Sequence, residues 1–271
     1  MARQFHIDSS YADALANIGL KDFPSVMTTT IGTPVSVHKD RDAVRFQAEV
    51  QDQKRELFLK RTFHHPLIGL TRDIVFGRRP QARPIYEYKI CKQLESAGIP
   101  AMKAIGYGEH RRWGLPSQAF VIVEAVPRRM SVQKAWQVQA DGRPRLTLTQ
   151  KRRLIRQGAK LISRLHRTNF RWPDLVSKHI MLDPPPSDNA QSQWQIYLID
   201  LERIYIGQSE KSRQRDLLSL LKSMPPKALT RTDRLRFAIS YWNVGKKTWT
   251  QQKTAIQADK LTKKIRRLRV V

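Results

Sequence analysis

Five consecutive apolar residues, Ala119-Phe120-Val121-Ile122-Val123, lie between Gln118 and Glu124, and the segment ends at Ala125-Val126-Pro127. A run this short, rich in β-branched and aromatic side chains, reads as a strand covered on both faces and therefore central in its sheet. Ile105 to Gly108 supplies a second strand, and Val44, Phe46, Ala48 and Val50 alternate with polar neighbours as a third. After a turn expected at Asp52-Gln53-Lys54-Arg55, Leu57-Phe58-Leu59 leads into Lys60, so a strand hairpin ends on a lysine. A basic connector over 61–83 carries Arg61, Arg72, Arg78, Arg79 and Arg83. It enters a helix marked by Ile85, Tyr86, Ile90, Cys91 and Leu94 and stopped at Gly98 and Pro100, with Glu87 in its first turns. Residues 1–126 are thus expected to form an antiparallel sheet plus one helix.

The remainder, 127–271, reads as mainly helical. Thr149 can cap a helix over 150–168 whose apolar positions Leu154, Leu161, Ile162 and Leu165 share one face with Gly158. Trp172 to His179 is then a loop, and Ile180-Met181-Leu182 pairs with Ile196 to Ile199 across a stretch rich in proline and Asx. Further helices are expected at 211–223, 231–244 and 251–268. The fold class is α+β, built as two lobes.

Asp174 precedes His179 by five residues, and Asp200 closes the apolar run Ile196-Tyr197-Leu198-Ile199. Phosphoryl transfer requires a base against an acceptor hydroxyl, carboxylates on a metal and a cation on the nucleotide phosphates. Asp174 fits the base, and His179 with Asp200 the metal ligands. Lys60, with Glu87 to direct it and Glu124 at the end of the central strand, makes up the nucleotide-binding set. Taken singly, Lys60 is an ordinary strand-end lysine and Glu87 an ordinary helix acid; their order along the chain is what separates them from the background. Asp216, at the start of an apolar helix face, could reach back to the backbone of the loop that carries Asp174, or simply favour the helix dipole. Thr28-Thr29-Thr30-Ile31-Gly32-Thr33-Pro34 is the nearest thing to a phosphate-covering loop and has only one glycine.

These residues together resemble the lipopolysaccharide core kinase family, the heptose and Kdo kinases of Gram-negative bacteria. The matching stretches are Leu57 to Arg61, Tyr86-Glu87-Tyr88, Leu94 to Pro100, Leu165-His166-Arg167, Asp174 to His179, Ile199-Asp200-Leu201-Glu202-Arg203 and Arg215-Asp216-Leu217. The resemblance implies a protein-kinase-like fold and magnesium-assisted transfer from ATP to a sugar hydroxyl of the lipopolysaccharide inner core, at the cytoplasmic face of the inner membrane. Where the family's usual loop begins His-Arg-Asp, this chain has Trp172-Pro173-Asp174. Protein kinases also carry a lysine two residues after the base, where Val176 stands here, and Lys178 is the nearest replacement charge.

Fifty Lys plus Arg against 23 Asp plus Glu give a net charge of +27, a field that attracts polyanions. A phosphorylated glycolipid acceptor or an anionic membrane would be drawn to the connector and to Lys260, Lys263, Lys264, Arg266, Arg267 and Arg269. Nucleic acid is a weaker expectation. One cysteine excludes an internal disulfide or a thiolate cluster, and no apolar run suits a secretory leader or a span, so a cytosolic setting is expected. The competing readings are a catalytically inactive kinase-like module that binds nucleic acid or membrane by charge, and a kinase for a protein or small molecule.

Overall fold

A computed structural model describes residues 2–64, 80–126, 130–139, 141–184, 193–225 and 228–242. The connector residues Arg72, Arg78 and Arg79, the helix expected at 251–268 and its basic residues lie outside them. The chain divides into two compact units, Met1–Val126 and Pro127–Val271.

The first unit is a six-stranded sheet of β1 (Ala2–Ile7), β2 (Thr33–Val37), β3 (Arg41–Val50), β4 (Gln53–Thr62), β5 (Lys103–Arg112) and β6 (Leu115–Glu124). The spatial order is β1-β5-β6-β4-β3-β2, every neighbouring pair antiparallel. The apolar run falls in β6, between β5 and β4, and Phe120, Val121 and Ile122 are fully buried. Both faces of the sheet are covered, among the described residues by three helices rather than the one expected. On one face α1 (Ser9–Asn17), α2 (Phe23–Thr28) and the loop between them pack Leu15, Leu20, Phe23 and Val26 against Phe46, Leu57, Leu59 and Ile122. On the other, α3 (Arg83–Ser96) seats Ile85 beside Ala119. The first two helices carry almost no periodic signal: α1 buries only Tyr11 and Leu15, and α2 is six residues long, started by an Asp22–Ser25 capping box.

The hairpin turns one residue earlier than expected. Gln51 and Asp52 both have positive φ, 50° and 59°, the two-residue mirror-image turn that suits twisted strands. Val50 then pairs with Gln53 and Ala43 with Lys60, so Lys60 lies inside β4 rather than at its end. The polar run Gln53 to Glu56 belongs to the exposed start of the strand and masked its length.

Because side chains alternate along β4, Lys60 and Arg61 point to opposite faces. Arg61 grips Asp42 through both carboxylate oxygens, at 2.9 and 2.5 Å, and donates to the carbonyls of Met27 and Thr29 at 3.1 and 2.8 Å. It therefore closes the C-terminal end of α2, whose last carbonyls have no partner within the helix. This corrects the reading of residues 28–34 as a phosphate-covering loop. They are the last residue of α2, the connecting residues 29–32 and the start of the edge strand β2, and Gly32 (φ +84°) is required because a Cβ there would sit 2.4 Å from the Arg45 carbonyl oxygen.

The second unit holds β7 (Met130–Ser131), α4 (Val132–Ala135), α5 (Leu148–Arg167), β8 (Phe170–Arg171), β9 (Ile180–Asp183), β10 (Gln195–Leu198), β11 (Tyr205–Ile206), α6 (Glu210–Ser223) and α7 (Arg231–Trp242). α5 starts two residues before the expected position. Its cap is Thr147, not Thr149, because Gln150 returns a side-chain bond of 2.9 Å to the Thr147 amide. The expected β9–β10 pairing holds, with Ile180 opposite Leu198 and Leu182 opposite Ile196.

Candidate active site

In the first unit, the face of β4 opposite Arg61 presents Lys60 to α3. Its Nζ stands 2.5 Å from Glu87 Oε1; the Glu87 side chain is 3% exposed and that of Lys60 28%. A buried carboxylate fixes the direction of a lysine that still reaches solvent. Glu124, expected beside the nucleotide, has its carboxylate committed elsewhere. It accepts from Tyr11 Oη at 2.8 Å and from Arg55 at 3.1 Å. Burial, then the neighbouring Glu124 charge, pushes the Tyr11 phenol well above its ordinary pKa, so it stays a donor.

In the second unit, two turns of the same design carry Asp174 and Arg203. Trp172-Pro173-Asp174-Leu175 closes with the Leu175 amide on the Trp172 carbonyl at 3.0 Å, and Trp172 and Leu175 are fully buried. Leu201-Glu202-Arg203-Ile204 repeats it with Ile204 on Leu201 at 3.0 Å, again between two fully buried ends. Each turn therefore anchors its ends in the core and lifts its third residue outward. Those residues are Asp174 and Arg203, which meet: Arg203 Nη1 donates to Asp174 Oδ1 at 2.9 Å. Lys178 is exposed on the 3₁₀ turn Ser177–His179.

His179 links the two acids expected around it. Its Nδ1 lies 3.0 Å from the Asp174 carbonyl oxygen and its Nε2 3.2 Å from Asp200 Oδ2. A carbonyl only accepts, so Nδ1 carries a proton, and Nε2 faces the Asp200 carboxylate either as a second N–H donor or with a metal ion held between them. A gap of 3.2 Å is close to the roughly 3 Å between adjacent ligands of a small octahedral cation. Asp200 sits at φ +61° just past the end of β10, a backbone an aspartate tolerates and most residues do not, and its side chain is 48% exposed. Among the described residues no three His, Cys, Asp or Glu side chains gather as a metal cage. The pair suits an ion that takes its other ligands from phosphate and water. The carboxylate matches magnesium, while the imidazole is more usual on softer divalent ions.

The loop is braced by residues outside the motif. Asp216, fully buried on α6, accepts from the Trp172 amide at 2.7 Å, the backbone role its position suggested. His166 stands beside it, Nε2 3.5 Å from Asp216 Oδ2 and Nδ1 2.7 Å from Tyr241 Oη. The Trp172 ring stacks near the His179 imidazole, 21° from parallel at 6.3 Å. Arg171 donates to the His166 carbonyl at 3.0 Å, and Ser177 donates twice to Ser223, from its amide to Oγ at 2.7 Å and from its Oγ to the carbonyl at 2.6 Å.

Burial, more than the opposing pull of Asp216, lowers the His166 pKa below its usual 6.5, and Arg171 and Arg213 push the same way. The unfolded chain then binds a proton that the folded one refuses, so stability is complete above pH 6.5 and falls as pH drops below it. The slope is at most about 1.4 kcal/mol per pH unit. Urea midpoints measured from pH 7.5 to 5 should show this decline, and His166→Asn should flatten it. Asp22 and Asp233, whose pKa values are held below 3.8, act only in more acid solution.

A lysine strand followed by a glutamate helix, then a loop aspartate and a second acid at a strand end, defines a kinase-like phosphotransferase. The chain belongs to the lipopolysaccharide kinase (Kdo/WaaP) family, whose profile matches residues 27–241. Among curated proteins it is 24% identical to lipopolysaccharide core heptose(I) kinase WaaP of Pseudomonas aeruginosa, over 64% of this chain and 64% of that one. It is 25% identical to the protein of the same name from Escherichia coli K12, over 70% of this chain and 77% of that one. A solved structure described as WaaP in complex with acyl carrier protein superposes with a TM-score of 0.72, at 21% identity and 97% coverage of both chains. That likeness is one of fold.

Proposed function

We propose that this chain transfers the γ-phosphoryl group of ATP to a hydroxyl of an inner-core sugar of lipopolysaccharide, heptose or Kdo. The names of the curated relatives support the acceptor class. The observation that carries the reaction is the cluster of Asp174, His179 and Asp200. In this reading Lys60, directed by Glu87, neutralises nucleotide phosphates. Asp174 takes the proton of the acceptor hydroxyl as that oxygen bonds to the γ-phosphorus. The bond to the β–γ bridging oxygen breaks, and its electron pair leaves on ADP. Asp200 and His179 would hold magnesium, which when bound supplies charge neutralisation on the phosphate oxygens.

The hairpin tip His38-Lys39-Asp40 takes over as the phosphate-covering element. It joins the two strands that precede the lysine strand, the place this element holds in kinases, though it offers a cation in place of glycines. The excess of positive charge draws the protein to an anionic glycolipid at the cytoplasmic face of the inner membrane. No helix of the described residues is long and apolar enough to cross a membrane. Surface attraction at about 1 kcal/mol per basic group would suffice for reversible binding.

The test is transfer from labelled ATP, with magnesium, to core lipopolysaccharide prepared from cells that leave the core unphosphorylated. Label should appear on the glycolipid, and Lys60→Ala should lower kcat/KM for ATP about a hundredfold. Label that reaches no core sugar, while ATP is still bound, would end the reading.

A further inference from the structure

We propose that Arg203 is a catalytic residue, the phosphate-binding cation that stands in for the lysine missing at Val176. The inference rests on the reading of Asp174 as the base. Among the described residues Arg203 is the cation bonded to the Asp174 carboxylate, at 2.9 Å, whereas Lys178 occupies the exposed turn beyond it.

Three features assign Arg203 to chemistry rather than to the fold. First, its side chain is 65% exposed and that of Asp174 29%, and a pair this open contributes little stability. Second, its backbone is fixed regardless of that pair. Leu201 and Ile204 are fully buried on either side, and the next residues, Tyr205 and Ile206, pair with Arg171 and Phe170. The guanidinium is thus delivered to the base by the chain's own turn. Third, a guanidinium has five N–H donors in a rigid fork. With one on Asp174 Oδ1, others remain for phosphoryl oxygens, and Oδ2 remains to receive the hydroxyl proton.

As the acceptor oxygen attacks, negative charge spreads over the three equatorial oxygens of the transferring group. Arg203 would neutralise that charge while holding the carboxylate in the orientation that accepts the proton. The proton passes from the acceptor hydroxyl to Asp174, the phosphorus–oxygen bond to ADP breaks, and Arg203 itself neither gains nor loses a proton.

The experiment compares Arg203→Ala, Arg203→Lys and Asp174→Asn in the full chain, with ATP, magnesium and core lipopolysaccharide. Arg203→Ala should lower kcat about a hundredfold or more and leave KM for ATP within about threefold. Millimolar guanidinium added to Arg203→Ala should recover part of the lost turnover, an effect that repair of a purely structural contact would not produce. Arg203→Lys, with the charge but not the fork, should fall between the two. If Asp174→Asn is inactive while Arg203→Ala turns over like the parent, or faster, the role of Arg203 is overturned and the base survives. If Asp174→Asn itself retains full turnover, the kinase reading falls, and this inference with it.

Discussion

Asp174→Asn is expected to slow phosphate transfer to core lipopolysaccharide by about a thousandfold, with nucleotide affinity little changed. Asparagine keeps the size of the side chain and an oxygen for Arg203, so the turn Trp172 to Leu175 has no reason to rearrange. It cannot take a proton. General base catalysis contributes about 10²- to 10⁴-fold, and here the same oxygen pair also aligns the acceptor. Initial rates with saturating ATP measure the first effect, and displacement of a fluorescent nucleotide the second. A variant that loses nucleotide binding in proportion to turnover would show that Asp174 holds structure rather than the hydroxyl.

Asp216→Ala should destabilise the second unit by about 2–3 kcal/mol, read from the urea midpoint of the purified chain. The carboxylate is fully buried and meets both the Trp172 amide and the His166 ring. Its removal strands a backbone donor and leaves a polar imidazole facing a cavity. Because Trp172 begins the turn that presents Asp174, the damage should reach activity as well. Asp216→Asn keeps an acceptor for the amide and should lose less. A loss under about 1 kcal/mol for the alanine variant would mean that water replaces the carboxylate without strain.

The segments of the proposed site are legible because their chemistry is local. An acid after an apolar strand, or a lysine after a short apolar run, is written in consecutive residues, and so is the helix that carries Glu87. What escaped detection depends on contacts between distant segments. Arg61 reads as one more basic residue of the connector until α2 is folded against its strand. His166 and Tyr241 are 75 positions apart and become a pair only where their helices meet. Arg203 belongs to the Ile199 to Arg203 segment, yet nothing in its spacing announces a partner 29 positions upstream. The His-Arg that the family carries before Asp174 is replaced here by Trp172-Pro173. Its bracing work is done by a buried tryptophan amide, Asp216 and Ser223, none of which a motif would name. Glu124 ends β6 as the apolar run implies, and its engagement with Tyr11 and Arg55 is again a contact between distant segments.

The neighbouring cations of β4 make the enzyme intolerant of a change that would look harmless in sequence. An extra residue anywhere between Gln53 and Leu59 would exchange the two side chains, sending a guanidinium toward Glu87 and an ammonium to the end of α2. The two-residue bend at Gln51-Asp52, about 23 Å up the strand from Lys60, therefore governs which cation faces Glu87. Length variation in this family should accordingly accumulate elsewhere, and an insertion here should silence the protein although every functional side chain remains in the chain.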